Sequence, residues 1–246
     1  MPNVSILGTA IVIDDLDGSA TAARDCQQIA RGEYNLAAIP FRPGDVVVDI
    51  GANVGVVSVF LAKRFPQISI YAFEPVPPIY EQLCRNVASN GAFNIRPFNL
   101  AVTGDGKPVR IHFDPHNPGG SSASMVRGDV ETVAMECPST TLPDILRSNA
   151  ISRCRLLKID CEGGEYDIVR PGILAGVDYL CGEFHASNTL ERQGKTPEKL
   201  LKKVAKAIPL NRVSVTGLRM ETSGSGTTFF NLGDLARKTA PFLADV

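Results

Sequence analysis

Several features that mark membrane, nucleic-acid or zinc-binding proteins are missing from this sequence. No apolar run approaches the roughly 18 residues that a membrane-spanning helix needs, so we expect no membrane partner. The formal net charge of −1 offers no basic surface for nucleic acid. The six cysteines never form a CxxC pair, which argues against a zinc site and favours reduced, buried thiols.

Signals of secretion are also missing. Residues 1–10 contain neither a basic leader nor a long apolar stretch, so we expect no signal peptide. Because the cysteines lie mostly in apolar runs as free thiols, we expect a reduced, cytoplasmic compartment. What is present is ordinary globular composition, with 44% hydrophobic and 21% charged residues. A single α/β domain can reach 246 residues without splitting in two.

Strand and helix patterns alternate along most of the chain. We interpret residues 1–45 as an N-terminal helical extension and residues 46–246 as one domain. In that domain the predicted strands are 46–50, 68–73, 94–102, 155–160, 179–185, 213–218 and 227–232, and the predicted helices are 53–64, 78–90, 142–149, 165–174 and 197–207. This alternation predicts an α/β fold with a mostly parallel sheet and helices on both faces, a three-layer αβα sandwich. Ligands of such sheets bind beyond the carboxyl ends of the strands.

The first strand ends in a glycine turn with the pattern DxGxNxG, from Asp49 to Gly55. Gly51 permits a tight turn, Gly55 lets the next helix pack closely, and the N–H groups around Asn53 can meet a polar ligand. The spacing differs from the GxGxxG of dinucleotide sites. A short, acid-flanked loop suits a zwitterionic amino-acid tail better than a pyrophosphate. A purely structural turn is the alternative.

Polar residues also follow the next two predicted strands. Glu74 and Pro75 come after the second strand, where an acidic side chain can accept hydrogen bonds from both hydroxyls of a ribose. A solvated carboxylate that caps the next helix is the alternative. Asn99 and Ala101 end the predicted third strand and are placed beside an adenine by position alone, and a turn role for Asn99 is equally consistent with the sequence.

Charged side chains end the fourth and fifth predicted strands. Asp160 and Glu162 follow the fourth strand, which also carries Lys158, and Glu183 and His185 end the fifth. A structural alternative is that the acids stabilise a helix N-terminus and that Lys158 pairs with one of them. Because polar residues end five successive strands on one rim, packing alone explains them poorly, and we take the acids and the histidine as catalytic candidates.

Four segments, taken in order, resemble the FkbM family of class I methyltransferases. They are DIGANVG at 49–55, YAFEP at 71–75, LLKIDCEGGEYDIV at 156–169 and GEFH at 182–185, and the KIDxEGxE string is the most diagnostic. The resemblance covers roughly residues 44–185. It implies a Rossmann-like, seven-stranded sheet with an antiparallel last strand, S-adenosylmethionine as the cofactor, and usually O-methylation of a hydroxyl on a sugar or natural product.

The resemblance also implies roles for individual residues. It makes residues 46–246 a class I methyltransferase domain. Within it, Asp49, Gly51, Asn53 and Gly55 hold the methionine part of the cofactor, and Glu74 holds the ribose. Gly164 departs from the family, which often has alanine at that position.

Methyl transfer to a plain alcohol benefits from a general base. His185 and Asp160 are the candidates, and His185 is preferred because an unperturbed pKa near 6.5 leaves much of it neutral at pH 7. Glu162 or Glu183 would orient the base or bind acceptor hydroxyls. Alternatively, Asp160, Glu183 and His185 together bind Mg²⁺, which would lower the pKa of a chelated hydroxyl.

Two other classes of protein share parts of this pattern. An NAD-dependent oxidoreductase would have the fold and the ribose acid, although the glycine spacing argues against it. A non-catalytic nucleotide-binding protein would not need the acids and the histidine. We interpret the loop at 118–124 either as a lid over the acceptor or as a flexible connector. The expected partner is a small-molecule acceptor, and the sequence leaves a homo-oligomer open.

Overall fold

The structure, a computed structural model, describes residues 2–114, 133–170, 172–219 and 228–231. The chain begins with an antiparallel hairpin of two short strands, followed by a helix: β1 (Asn3–Ile6), β2 (Thr9–Val12) and α1 (Thr21–Ala30). Two strand–helix units come next: β3 (Val46–Ile50), α2 (Val56–Arg64), β4 (Ser69–Phe73) and α3 (Pro77–Ser89). No helix among the described residues is both long and apolar enough to cross a bilayer.

The second half starts with short strands and then returns to strand–helix alternation. The short strands and the helix after them are β5 (Ile95–Phe98), β6 (Ala101–Val102), β7 (Val109–Phe113), β8 (Val133–Cys137), β9 (Ser139–Thr140) and α4 (Leu142–Ser148). The remaining elements are β10 (Cys154–Ile159), α5 (Glu165–Ile168), β11 (Val177–Ala186), α6 (Asn188–Arg192), α7 (Pro197–Ala205), β12 (Val213–Arg219) and β13 (Thr228–Asn231).

Seven strands form the central sheet in the order β13-β12-β11-β10-β3-β4-β5. Every neighbouring pair is parallel except β12 and β13, which are antiparallel. The predicted Rossmann-like sheet with an antiparallel last strand is therefore confirmed. The register sets Lys158 of β10 directly beside Asp49 of β3, so the sheet itself brings a cation and a carboxylate together.

Helices cover both faces of this sheet. Side chains alternate along a strand, so Val47 and Leu156 point into one apolar core, whereas their neighbours Val48 and Leu157 point into the other. The first core is built with β1, β2 and α1 to α3, and the second with α4 to α7. Because both faces are covered, β3 is an almost continuous run of β-branched residues, and the three-layer arrangement follows from its burial.

The N-terminal extension belongs to the first core and is only partly helical. The hairpin of β1 and β2, which periodicity did not reveal, packs beside α2 and is fixed by Asn86 of α3 and by Asn90, the C-terminal cap of that helix. The Asn86 amide accepts a hydrogen bond from the Asp14 N–H and donates to the Asp14 carbonyl, at 3.0 and 2.9 Å. The Asn90 amide makes the same reciprocal pair with the Val12 backbone, at 2.8 and 2.6 Å.

Two predicted elements end earlier in the structure than expected. The third strand stops at Phe98 rather than residue 102, because the next residues form β6, which pairs with β9. The helix predicted at 165–174 is the single turn α5. Pro171 disfavours a helical conformation of the residue before it, which explains the early end. The antiparallel pairing of β12 with β13 is as predicted. The antiparallel pairing of β7 with β8 was not predicted, and the loop at 118–124 lies outside the described residues.

Candidate active site

A cavity opens at the carboxyl ends of the central strands. Its walls come from the loops after β3, β4 and β10, from the segment around β6, and from α1 and β11. Eight of the residues predicted from the sequence line it: Gly51, Asn53, Glu74, Pro75, Ala101, Asp160, Glu162 and Glu183. The other four, Asp49, Gly55, Asn99 and His185, do not line it.

The glycine turn after β3 is shaped by contacts inside the protein. Gly51 has a φ of +73°, and a Cβ placed on it would lie 1.8 Å from the Asp160 carbonyl oxygen, so no other residue fits there. Gly55 begins α2 with a φ of +92°, and a Cβ on it would lie 2.5 Å from the Leu83 Cδ1, which confirms the expected close packing.

The N–H groups of this turn are not free. Those of Gly51 and Ala52 donate to the Phe73 carbonyl, and those of Val54 and Gly55 donate to oxygens within the turn. The Asn53 N–H, whose residue has a φ of +52°, donates to the Glu74 Oε2 at 3.0 Å. The expectation of free N–H donors is therefore wrong, because the neighbouring strand end and its acid already accept them. A ligand must therefore contact this turn mainly through the shape of the turn and through the carbonyl groups of the turn.

Glu74 stands between the turn and α3. Its Oε2 accepts the Asn53 N–H, and its Oε1 accepts the Val76 N–H at 2.9 Å. Each carboxylate oxygen has two lone pairs, so both can still accept a bond from a ligand hydroxyl. Burial raises the pKa of Glu74 to about 7, although the two N–H donors favour its charged form. Glu74 therefore binds the N–H of Val76, the residue before α3, at the helix end that the structural alternative predicted, and also lies on the cavity wall.

Asn99 and Ala101 have different positions relative to the cavity. The Asn99 amide donates to the carbonyls of Glu74 and Pro75, both at 2.9 Å, and thereby holds the loop that carries the acid. It does not line the cavity, whereas Ala101 does. The turn role that the sequence left open for Asn99 is the one that the structure shows.

Lys158 and Asp49 form a buried ion pair beneath the turn. The Lys158 Nζ lies 3.2 Å from the Asp49 Oδ1 and donates to the Gly51 carbonyl at 2.6 Å, while the Asp49 Oδ2 accepts from the Ser58 hydroxyl at 2.7 Å. Burial alone would lower the pKa of Lys158, but Asp49 and Asp160 outweigh that effect and raise it. Lys158 also reaches the cavity wall, so one cation neutralises the acid under the turn and faces the ligand space.

His185 sits at the centre of a group of carboxylates. Its Nδ1 lies 2.9 Å from the Glu165 Oε1, and both side chains are fully buried. Its Nε2 lies 3.5 Å from the Glu162 Oε2, 3.8 Å from the Glu183 Oε2 and 3.9 Å from the Asp160 Oδ1. This Nε2 has no hydrogen-bond partner among the described residues. We call these five residues the His185 cluster.

The charge state of His185 differs from the expectation. Burial alone would lower its pKa, but the carboxylates of Glu162 and Glu165 outweigh burial and raise the pKa well above 6.5. The assumption of an unperturbed pKa is therefore wrong. Burial, reinforced by the Asp160 carboxylate, raises the pKa values of Glu162 and Glu183 to about 7. In the ligand-free protein these two acids, rather than the histidine, are poised to accept a proton at neutral pH.

Several residues of the site were missed from the sequence. Glu165 closes the KIDxEGxE string, so the motif contained its signal, and its carboxylate also accepts the N–H groups of Cys161 and Gly163. Gln28 of α1 donates to the Glu183 Oε1 at 2.7 Å and accepts from the Tyr34 hydroxyl at 3.4 Å. Arg24, Asp25 and Tyr34 complete the cavity wall from the extension. No local pattern marks these four residues, because the fold brings them to the site from far along the chain.

Comparisons with known proteins agree with this geometry. The model of the methyltransferase FkbM domain matches residues 49–196, which include the glycine turn, Glu74 and the His185 cluster. Methyltransferase sdnD of Sordaria araneosa is 28% identical over 165 residues, 56% of this chain and 63% of that protein. The 31-O-demethyl-FK506 methyltransferase FkbM of Streptomyces tacrolimicus is 28% identical over 167 residues, 57% of this chain and 62% of that protein.

A third relative is a much longer protein. The AMB antimetabolite synthetase AmbE of Pseudomonas aeruginosa is 41% identical over 187 residues, which are 65% of this chain but 9% of AmbE. The chain therefore matches a little over three fifths of the length of the first two relatives and a short stretch of the third. The family model covers more than half of the chain, and the chain belongs to the FkbM methyltransferase domain family.

Proposed function

We propose that this protein uses S-adenosylmethionine to methylate a hydroxyl group on a sugar or other natural-product small molecule. One observation carries the proposal. The glycine turn after β3 and the acid after β4 are joined by the hydrogen bond from the Asn53 N–H to the Glu74 Oε2, and both face one cavity. The name of the relative from Streptomyces tacrolimicus, a 31-O-demethyl-FK506 methyltransferase, supports a hydroxyl on a natural product as the acceptor class.

The cavity fits the chemical groups of this cofactor. The Glu74 carboxylate keeps lone pairs for the ribose hydroxyls, and Ala101 with its neighbours Leu100 and Val102 offers an apolar wall for the adenine. The turn at 51–53 and the Lys158 ammonium would meet the amino-acid tail, whose carboxylate a cation favours. S-adenosylmethionine, when bound, supplies a methyl carbon that is electrophilic because a sulfonium carries it.

The acids at the ends of β10 and β11 are suited to handle the acceptor. Asp160, Glu162 and Glu183 all face the cavity and can accept hydrogen bonds from acceptor hydroxyls. Because the pKa values of Glu162 and Glu183 are about 7, either can take the hydroxyl proton near neutral pH. His185 is fully buried and lies next to these acids. When nothing else binds its imidazole, we assign it the role of holding the acids in position.

Two competing functions give different outcomes in one binding experiment. Isothermal calorimetry with S-adenosylmethionine, S-adenosylhomocysteine, NAD and ATP should show saturable binding of the first two alone. Preferred binding of NAD would support an oxidoreductase, which membership of the FkbM family disfavours. Preferred binding of ATP, without methyl transfer to any hydroxyl compound, would support a non-catalytic nucleotide-binding protein.

A variant pair ties the binding to the proposed site. Glu74→Gln removes the charge that holds the ribose and should weaken S-adenosylmethionine binding about tenfold or more, because hydrogen bonds to a charged group are worth about 1.5–3 kcal/mol. Glu81→Gln, an exposed acid on α3, should leave the affinity unchanged. Equal affinities of the two variants would place the cofactor elsewhere. Acceptors with a hydroxyl, a carboxylate or an amine as their only nucleophile would then identify the methylated group.

A further inference from the structure

The His185 cluster contains a feature that hydrogen bonding within the protein leaves unexplained. The imidazole of His185 is 0% exposed, and its Nε2 lacks a hydrogen-bond partner within the described part of the chain. A buried polar nitrogen without a partner costs about 1–3 kcal/mol, so native proteins rarely retain one without a reason. The nitrogen faces three carboxylate oxygens at 3.5 to 3.9 Å, too far for direct hydrogen bonds.

These distances suit an ion placed between the groups. In an octahedral site with bonds of about 2.1 Å, the ligand atoms lie about 3 to 4.2 Å from one another. Ligand atoms of Asp160, Glu183 and His185 all lie within 4.8 Å of each other, so small rotations of the side chains bring them to that spacing. Glu162, at 3.5 Å from the same Nε2, can provide a fourth ligand atom.

The surroundings of the cluster already have the form of a metal site. Glu165 holds the other imidazole nitrogen at 2.9 Å and is itself fixed by the N–H groups of Cys161 and Gly163. A metal-bound histidine commonly donates its second N–H to such a carboxylate, which sets the tautomer and the ring orientation. A divalent ion would also offset the charge of these carboxylates, which His185, the more distant Lys158 and Arg24 on the cavity wall now balance in part.

We propose that Asp160, Glu162, Glu183 and His185 form a binding site for a divalent cation of the Mg²⁺ and Mn²⁺ class, with Glu165 orienting the histidine. Three carboxylates and one imidazole are hard or borderline ligands, which favours this class over thiophilic metals. Because the acids also line the cavity, the ion has open coordination positions that face an acceptor hydroxyl. An ion bound to that hydroxyl lowers the pKa of the hydroxyl. That last role rests on the proposed function, whereas binding of the ion does not.

The test measures Mn²⁺ binding to the full chain without any cofactor. After treatment with EDTA and desalting, calorimetry and the electron paramagnetic resonance signal of free Mn²⁺ should show one ion bound per chain. Asp160→Asn and His185→Ala should each lower the affinity at least about tenfold, and Glu165→Gln about 10- to 100-fold as a partner of a ligand. His112→Ala on β7 and Glu136→Gln on β8, two residues that do not line the cavity, are matched controls and should bind as the wild type does.

A measurement on the unaltered chain guards against variants that fail to fold. In protein labelled with ¹⁵N-histidine, substoichiometric Mn²⁺ should broaden the His185 resonance before those of the two other histidines. The absence of saturable binding at millimolar Mn²⁺, or equal broadening of all three resonances, would overturn the site. Full methyl transfer in EDTA would overturn its role toward the acceptor. Mn²⁺ binding without S-adenosylmethionine binding would instead overturn the proposed function and leave the site standing.

Discussion

The Glu165 carboxylate and the His185 imidazole form a fully enclosed pair, with Oε1 and Nδ1 2.9 Å apart and neither side chain reaching solvent. The pair joins α5 to β11 across 20 residues of sequence. Because burial would otherwise penalise each charge, each partner depends on the other for its ionised form. The carboxylate raises the pKa of the histidine, and the histidine, against the effect of burial, lowers the pKa of the carboxylate.

Removing the Glu165 charge should therefore release the histidine proton. In Glu165→Gln, we expect the pKa of His185 to fall toward its usual 6.5, because burial then acts with one opposing carboxylate fewer. The measurement is a pH titration of the ¹⁵N-histidine resonances in EDTA. Glu198→Gln, an exposed acid at the start of α7, is the control and should not move the His185 titration. An unchanged His185 pKa in Glu165→Gln would show that the pair is not the main source of the shift.

The ligand-free protein should lose stability as the pH rises toward neutral. Four buried or half-buried acids have folded-state pKa values of about 7: Asp25, Glu74, Glu162 and Glu183. Between about pH 4.5 and 7 the unfolded chain releases protons that these groups retain in the folded state, so the free energy of unfolding falls with rising pH. The raised pKa of His185 extends the same trend above pH 6.5. The lowered pKa of Glu165 acts only below about pH 4.5.

Calorimetry in EDTA between pH 5 and pH 7.5 checks this trend. We expect the melting temperature to decrease by about 2–4 °C for each kcal/mol lost. Glu162→Gln removes one of the four acids and should flatten the slope. A melting temperature that stays constant or rises over this interval would contradict the assigned pKa directions.

Gly51 should tolerate no side chain, for two reasons: its left-handed backbone and the lack of space for a Cβ. A second glycine, Gly32, separates these two effects. Gly51→Ala combines a left-handed backbone with a Cβ 1.8 Å from a backbone oxygen, whereas Gly32 has nearly the same φ, +77°, and open space around it. We expect Gly32→Ala to cost about 1–2 kcal/mol from backbone strain alone. Gly51→Ala should cost about 3 kcal/mol or more and abolish S-adenosylmethionine binding. Urea denaturation gives the costs, and equal values would show that the contact with Asp160 relaxes easily.

Lys158 and Asp49 should behave as a coupled pair. Lys158→Met leaves a buried carboxylate without its cation and should cost about 3–5 kcal/mol. Adding Asp49→Asn should recover part of that loss, so the double variant costs less than the sum of the single variants, as urea denaturation can measure. Lys195→Met, which breaks a more exposed pair with Asp167, is the control and should cost about 0–1 kcal/mol. Additive single-variant costs would show that the buried charges do not stabilise each other.

The extension should influence acceptor methylation through Gln28. Gln28→Ala removes the hydrogen bond to Glu183, and we expect a several-fold loss of kcat/KM for the acceptor with unchanged S-adenosylmethionine affinity. Gln27→Ala, the exposed neighbour on the same helix, should have no effect on either quantity. A loss of cofactor affinity in Gln28→Ala would place its role in cofactor binding instead.

The sequence predicted those parts of the molecule that depend on local pattern and topology. Continuous β-branched runs such as Val46–Ile50 revealed strands buried on both faces, and the parallel topology then placed the polar strand ends on one rim. Eight of the twelve predicted site residues reach the cavity for that reason. The sequence offered a pair between Lys158 and one of the acids after β10, and Asp160 does lie 3.9 Å from it. The closer pair with Asp49 was not predicted and follows from strand register.

The parts that the sequence could not predict depend on distant contacts. Gln28 and Glu183 are separated by 155 residues, and no periodicity links a helix in the extension to a strand near the other end of the fold. The pKa of His185 depends on how many carboxylates surround it, which only the folded arrangement determines. The bonding of the Asn53 N–H to Glu74 likewise uses up a donor that the turn pattern alone left free.

Asn86 of α3 and Asn90, which caps that helix, restrict where this domain can be cut or joined to another protein. A fragment that starts at Val46 would lack the Val12 and Asp14 backbone groups, and the Asn86 and Asn90 amides would lose their reciprocal partners. The truncation would also expose apolar side chains of α2 that the extension covers. The fragment would therefore be prone to aggregate. Truncations, grafts and fusions should therefore carry residues 2–45 together with the sheet.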